Sequence, residues 1–236
     1  MKFVLPDVEA DIKNAEGDVL TLVLGGRAPS TEWFSSLSSG DELWAVDRGV
    51  EVCRRAERLP DRLVGDCDSA SPESWRWAVE RGVPVSRYES EKDLTDFQLA
   101  LDLACRPDNP RNIFVTGAFG GRFDHLWSAA VSLLHRSDEY SPLGMADDRE
   151  GILFLHGHET LNVKFAKRPD VVSLIPFSRE CWGVSISNVR WPLGDVVLEY
   201  RDPYSISNRL ADGLSASVNI SAGLVGVYWA WDSRAL

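Results

Sequence analysis

Several absences narrow what this chain can do before any motif is considered. The four cysteines, Cys53, Cys67, Cys105 and Cys181, are widely spaced and form no C-x-x-C pair. A disulfide framework or a structural zinc site is therefore not expected, and a reducing, cytoplasmic setting is. Long apolar runs are missing, and the opening segment carries Asp7, Glu9 and Asp11, which suits neither a signal peptide nor a membrane span. Positive charge is in deficit: 25 Lys and Arg face 36 Asp and Glu, a formal net charge of −11. A nucleic acid or an anionic membrane would want a basic face, so neither is an expected partner. An anionic small substrate stays open, provided cations or local basic groups neutralise the contact. There is no internal repeat, no low-complexity stretch and no G-x-x-x-x-G-K-[ST] sequence, so the chain is not a P-loop protein.

What is present reads as an ordinary globular chain, 236 residues with 44% hydrophobic and 26% charged residues. A short apolar run at 19–24 and strand-like segments at 42–46, 62–64, 83–88 and 112–116 alternate with helical patterns near 31–37, 50–58, 72–81, 94–101 and 124–135. Ser71-Pro72 is an N-cap and N1 pair, and Asp93 is read as the cap of the fourth helix. Five such βα units predict an α/β domain on a parallel sheet over residues 1–137, the first seventeen being an unassigned lead-in. Residues 138–150 read as a linker. From 151 to 236, short strand-like runs at 152–155, 161–165, 171–175, 183–186, 196–200, 216–220 and 224–229 predict an antiparallel sandwich or barrel.

In an open parallel sheet, ligands gather beyond the carboxyl ends of the strands. Asp47, Asp66, Asp68, Asp93, Asp96 and the 117–124 loop all fall there. Asp66 and Asp68 are the sharpest pair. In extended backbone, residues i and i+2 face one side, so the two carboxylates must be solvated, protonated or bridged by a cation. Gly65 to Ser69 would also serve as a plain turn. A ring of carboxylates beside glycine-rich loops suits magnesium and a nucleotide, with backbone N–H groups, Arg27, Lys92 and Arg122 for the phosphates. Solvated surface charges are the bland alternative for Lys92 and Arg122, as a helix start is for Asp124. His125 reads as structural, and His156 and His158 as surface histidines.

Gly65-Asp66-Cys67-Asp68-Ser69, Lys92-Asp93-Leu94-Thr95-Asp96 and Gly120-Gly121-Arg122-Phe123-Asp124-His125 together resemble the thiamine pyrophosphokinase family. The likeness extends to Leu24-Gly25-Gly26, Asp47 with Gly49, Ser173 to Pro176, Arg190-Trp191-Pro192-Leu193 and Ser205-Ile206-Ser207-Asn208. It runs in the family's order from about residue 20 to the end. The resemblance implies an α/β nucleotide domain followed by a β-sandwich, and a homodimer with thiamine bound between subunits. The implied reaction moves a diphosphate from ATP to thiamine, giving thiamine diphosphate and AMP. Asp66, Asp68 and Asp96 take the catalytic roles, and these three with Asp47 the magnesium. Gly25, Gly26, Arg27, Asp47, Ser69, Lys92, Thr95, Gly120, Gly121, Arg122 and Asp124 fall on the nucleotide side, and Trp191, Ser205, Ser207 and Asn208 on the thiamine side. One departure stands out: the family's Asp-Gly-Gly-Ala-Asn is here Asp47-Arg48-Gly49-Val50-Glu51, which puts the loop shape and nucleotide affinity in question. A hydroxymethyl-pterin acceptor and an inactive thiamine or nucleotide binder are the competing readings.

Overall fold

Strands covered on both faces carry unbroken apolar runs, whereas strands with one wet face alternate, and this chain uses each kind in a different half. The computed structural model describes residues 1–38, 42–88, 93–105, 110–135 and 139–231. They divide into two units, Gly17–Asp147 on one side and Met1–Glu16 with Asp148–Leu236 on the other. Among the described residues, no helix is long and apolar enough to cross a membrane.

The chain opens with β1 (Lys2–Leu5) and β2 (Val8–Lys13), which belong to the second unit. The first unit then follows: β3 (Val19–Val23), α1 (Thr31–Ser36), β4 (Glu42–Val46), α2 (Gly49–Arg55), β5 (Arg62–Gly65), α3 (Pro72–Val79) and β6 (Val85–Arg87), then α4 (Asp96–Ala104), β7 (Asn112–Thr116), α5 (Phe123–His135) and β8 (Ser141–Ala146). Its strands run β8-β7-β3-β4-β5-β6, every pair parallel. All five residues of β3 and of β7 are buried, as expected where helices cover both faces. Every carboxyl end therefore points the same way.

Close packing where α2 begins against the end of β3 leaves no room for a side chain at Gly49. A Cβ there would lie 1.8 Å from the Val23 carbonyl oxygen. Gly49→Ala is expected to cost roughly 1–3 kcal/mol or more, because backbone, not a movable side chain, must shift. A denaturant melt showing wild-type stability would contradict that packing.

The second unit continues with β9 (Glu150–His156), β10 (Thr160–Phe165), β11 (Val171–Pro176), β12 (Glu180–Ser187), β13 (Leu193–Glu199), β14 (Ser215–Asn219) and β15 (Leu224–Ala230). One antiparallel sheet is ordered β1-β2-β10-β14-β12-β13, and β15 pairs with both β11 and β9. Burial alternates along β2 and β10. Phe165 of β10 meets Trp229 of β15 with ring centroids 5.9 Å apart, so the two sets of strands share an aromatic core, as in a sandwich.

Two segments differ from the sequence reading. The lead-in at 1–17 holds two paired strands, with Ile12 opposite Leu161 across β2 and β10. The expected linker at 138–150 holds β8, which extends the parallel sheet beside β7. The chain thus enters the second unit, leaves it for the whole α/β unit and returns after Asp147.

Candidate active site

The loops after β3 and β7 are laced together by their backbones. Leu24 N–H donates to Thr116 O at 2.8 Å, Gly26 N–H to Gly117 O at 2.8 Å and Arg27 N–H to Phe119 O at 2.6 Å. The approach demands glycine: a Cβ on Gly26 would lie 2.6 Å from Gly117 O, and one on Gly117, at φ +72°, would lie 2.3 Å from Leu24 O. Beside this floor opens a cleft of about 960 Å³. Its lining includes Gly25, Gly26, Arg27, Asp47, Asp66, Asp68, Ser69, Thr95, Asp96, Gly120, Gly121, Arg122 and Asp124. The nucleotide-side and acidic residues expected from sequence thus converge on one cleft. Lys92 lies outside the described residues.

The acids approach from three strand and helix ends. Asp47 follows β4 with φ +47°, held by its N–H donating to Val64 O at 2.8 Å. Its Oδ2 accepts the Ser69 hydroxyl. Its Oδ1 is buried and takes no hydrogen bond of normal geometry among the described residues. Asp66 and Asp68 follow β5, but not in extended backbone: Cys67 sits at φ +71°, and Asp66 Oδ1 accepts the Asp68 N–H at 3.0 Å. A tight turn, rather than strand pleating, turns the two carboxylates together. One oxygen from each of Asp47, Asp66 and Asp68 lies within 4.8 Å of the others. Three converging carboxylates, one with an orphaned buried oxygen, fit a hard divalent cation with oxygen ligands.

Asp96 stands next to this trio rather than in it; a Cβ on Gly65 would be 3.4 Å from its Oδ1. The cap of α4 is Thr95, whose Oγ1 accepts the Gln98 N–H at 3.2 Å while Gln98 Oε1 accepts the Thr95 N–H at 2.9 Å. This capping box displaces Asp93 from the role expected of it and places Asp96 in the first helical turn.

Crowding shifts the acids. Burial pushes the Asp47 carboxyl up, with Asp96 and Asp66 adding to the rise and the Ser69 hydroxyl and Arg48 N–H opposing it. Asp68 is raised chiefly by Asp66, through a hydrogen bond and then through charge. A raised folded-state value means the folded protein binds more protons than the unfolded chain, so stability falls as pH rises through that value. Asp47→Asn keeps the shape and tolerates the positive φ. In chelator, the variant is expected to melt above the wild type at neutral pH, with the gap closing near pH 3. A gap that persisted there would mean charge is not its cause.

The remaining expected residues are each engaged. Arg122 pairs with Asp124 through Nε to Oδ1 at 3.0 Å and through Nη2 to Oδ2, and Asp124 Oδ1 also accepts the His125 N–H at 3.0 Å. Arg122 holds the Asp124 carboxyl below its usual range and is itself raised. Both are exposed, so the pair is weak and exchangeable for phosphate. Arg48 has φ −60° at the start of α2; the positive φ of this loop falls on Asp47, and arginine fits where the family has glycine. Glu51, in the family's Asn position, accepts the Ser71 N–H at 3.0 Å. Asp147 escaped the sequence reading: it follows β8 with a buried carboxylate 2.6 Å from Arg27 Nη2. Its signal was the same strand-then-carboxylate pattern, hidden because 138–150 read as a linker.

In the second unit, Trp191 is 54% exposed, with Arg190 Cζ 4.8 Å from its ring centroid. Asn208 is buried; its Nδ2 donates to Trp191 O at 2.7 Å and its Oδ1 accepts the Trp191 N–H at 3.2 Å. The amide expected to meet a ligand thus pins the tryptophan backbone. Ser207 N–H donates to Ser173 Oγ at 2.9 Å, and Ser205 O accepts the Leu174 N–H at 2.8 Å. The Ser207 side chain is exposed and Ser205 is buried. These four residues form a group of their own beside β11.

Comparison with known proteins gives a consistent result. Residues 35–142 match the family described as "Thiamin pyrophosphokinase, catalytic domain", and residues 159–225 match "Thiamin pyrophosphokinase, vitamin B1 binding domain". A thiamine pyrophosphokinase of Bacillus subtilis is 26% identical over 193 residues, 81% of this chain and 89% of that protein. A solved thiamin pyrophosphokinase from Geobacillus thermodenitrificans superposes with a TM-score of 0.73 at 28% identity, covering 92% of this chain and 100% of its own. The solved Bacillus subtilis protein gives a TM-score of 0.77 at 22% identity, covering 91% and 99%, and confirms the fold.

Proposed function

The chain belongs to the thiamin pyrophosphokinase family and functions as a thiamine pyrophosphokinase, and on that premise we propose that the cleft of the α/β unit transfers the diphosphate of ATP to the hydroxyl of thiamine. The observation that carries this is the convergence of Asp47, Asp66 and Asp68 beside glycine loops in one cleft. Asp47, Asp66 and Asp68 would hold magnesium, with Asp96 close by. When bound, the ion neutralises phosphate charge and polarises the group being transferred.

The chain's own residues supply position and proton handling. The backbone N–H groups of Gly25 and of the Gly120-Gly121 turn orient the polyphosphate, while the Gly26 N–H stays bonded to Gly117 O and holds the loop in shape. Arg122, released from Asp124, adds charge at the rim. The thiamine hydroxyl oxygen bonds to the β-phosphorus while the bond from that phosphorus to the α–β bridging oxygen breaks, and AMP leaves with that oxygen. Asp96, beside the acid trio and in the first turn of α4, is the carboxylate placed to accept the hydroxyl proton. Positioning and charge neutralisation are the main sources of rate. Trp191 would hold the thiamine rings, its backbone fixed by Asn208, with Ser205 and Ser207 beside it. The working protein is taken to be a cytoplasmic homodimer whose active sites are shared between subunits.

The test is product analysis. Purified protein with ATP, magnesium and thiamine should yield AMP and thiamine diphosphate in equal amounts. AMP formed only with a hydroxymethyl-pterin would move the acceptor, and absence of AMP with either would leave a binder.

A further inference from the structure

We propose that Asp147 is a positioning residue for the nucleotide, acting through Arg27. This rests on the reading of the cleft as the ATP site. Asp147 stands at the carboxyl end of β8, its side chain wholly buried. A single oxygen, Oδ2, accepts from Arg27 Nε at 2.8 Å and lies 2.6 Å from Nη2. Arg27 lines the cleft with its side chain 24% exposed.

Arg27 is fixed along its whole length. Its N–H is bonded to Phe119 O, its Cβ fills space that a side chain at Gly120 would need, 2.7 Å away, and its guanidinium lies 6.0 Å from the centre of the Phe119 ring. The loops it touches are those that floor the cleft. Asp147 constrains the direction of the guanidinium plane. A buried ion pair is a poor route to stability, since apolar residues of similar volume often serve as well or better. Retaining both charges here makes sense if the orientation of Arg27 matters to a ligand. Neither residue falls within the matched segments 35–142 and 159–225.

The reading predicts a split between substrates. Asp147→Asn keeps shape and one acceptor but removes the charge that aligns Arg27. It should raise KM for ATP, and weaken MgATP binding measured calorimetrically without thiamine, by about tenfold to a hundredfold. KM for thiamine should stay within about twofold, a separation that a general loosening of the fold does not give. Adding Asp147→Asn to Arg27→Met should produce no further loss of MgATP affinity, because the effect passes through Arg27. If the single Asp147 variant does not fold, Arg27→Met/Asp147→Leu provides the second arm: an apolar pair that should melt near the wild type yet bind MgATP as poorly as Arg27→Met. Wild-type MgATP affinity in that double variant, equal shifts in both KM values, or additive losses would each overturn the proposal. A wild-type protein that binds MgATP but converts no thiamine would instead count against the proposed reaction, leaving the calorimetric comparison to decide the role of Asp147.

Discussion

Asp66→Asn and Asp68→Asn are each expected to lower turnover by about 10²–10³-fold or more, the scale for losing a group aimed at charge in the transition state. The substitutions are nearly isosteric. The amide that replaces the Asp66 carboxylate would still offer an oxygen to the Asp68 N–H, so the turn that depends on this 3.0 Å bond is retained. What is lost is one of three charges whose oxygens lie within 4.8 Å of one another. Asp68 is raised first by its hydrogen bond with Asp66 and then by the Asp66 charge, so without metal the removal of one charge relieves the repulsive part. The ligand-free melting temperature should therefore hold or rise slightly while activity collapses. Magnesium should then raise the melting temperature of the wild type much more than that of either variant. Near-normal turnover in both variants would remove these residues from the reaction. A large fall in ligand-free stability would make their role structural.

The contrast between these acids and Asp147 shows what the sequence makes legible. The segments ahead of Asp47 and Asp66 end in unbroken apolar residues, Leu43 to Val46 and Leu63-Val64, and β4 and β7 fall where their patterns place them. A buried parallel strand needs both faces covered, so it announces itself locally. Ser141–Ala146 contains Pro142 and Gly144, which read as breakers; β8 is a strand because β7 lies beside it. The same holds for β2, which pairs with β10, distant in sequence, and for β1, which pairs with β2. At the site, carboxylates after strands were visible as a pattern and Gly65 to Ser69 as a plain turn competing with it; that the turn itself converges the carboxylates was not visible. It depends on Cys67 adopting φ +71°, which few would assign to a cysteine between two aspartates. Thr95 outcompetes Asp93 as the cap because Gln98 closes the box from the other side. Asn208 looked like a ligand for a ring nitrogen; only the fold shows both ends of its amide bonded to Trp191.

That clamp bears on the acceptor. Trp191→Ala is expected to weaken thiamine binding by roughly 1–3 kcal/mol, the usual scale for an aromatic anchor. Thiamine offers a flat aminopyrimidine and a cationic thiazolium, and an indole holds either by stacking or by cation–π attraction. Trp191 is suited to this: its backbone is fixed by Asn208, its ring is half exposed, and Arg190 lies against it. Affinity for MgATP should stay close to normal, since the acids and glycine loops belong to the other unit. Asn208→Ala should reproduce part of the loss by freeing the Trp191 backbone. The Trp191 variant also tests whether sites are shared between subunits. If the nucleotide cleft of one protomer works with Trp191 of its partner, an exchanged equal mixture of Trp191→Ala and Asp66→Asn chains contains heterodimers with one intact site each. Random pairing makes half of the dimers mixed, so about a quarter of wild-type activity should return at thiamine concentrations below KM. Each parent alone, treated identically, should remain far below that value. A fully exchanged mixture no more active than the average of its parents would place both substrates within a single chain.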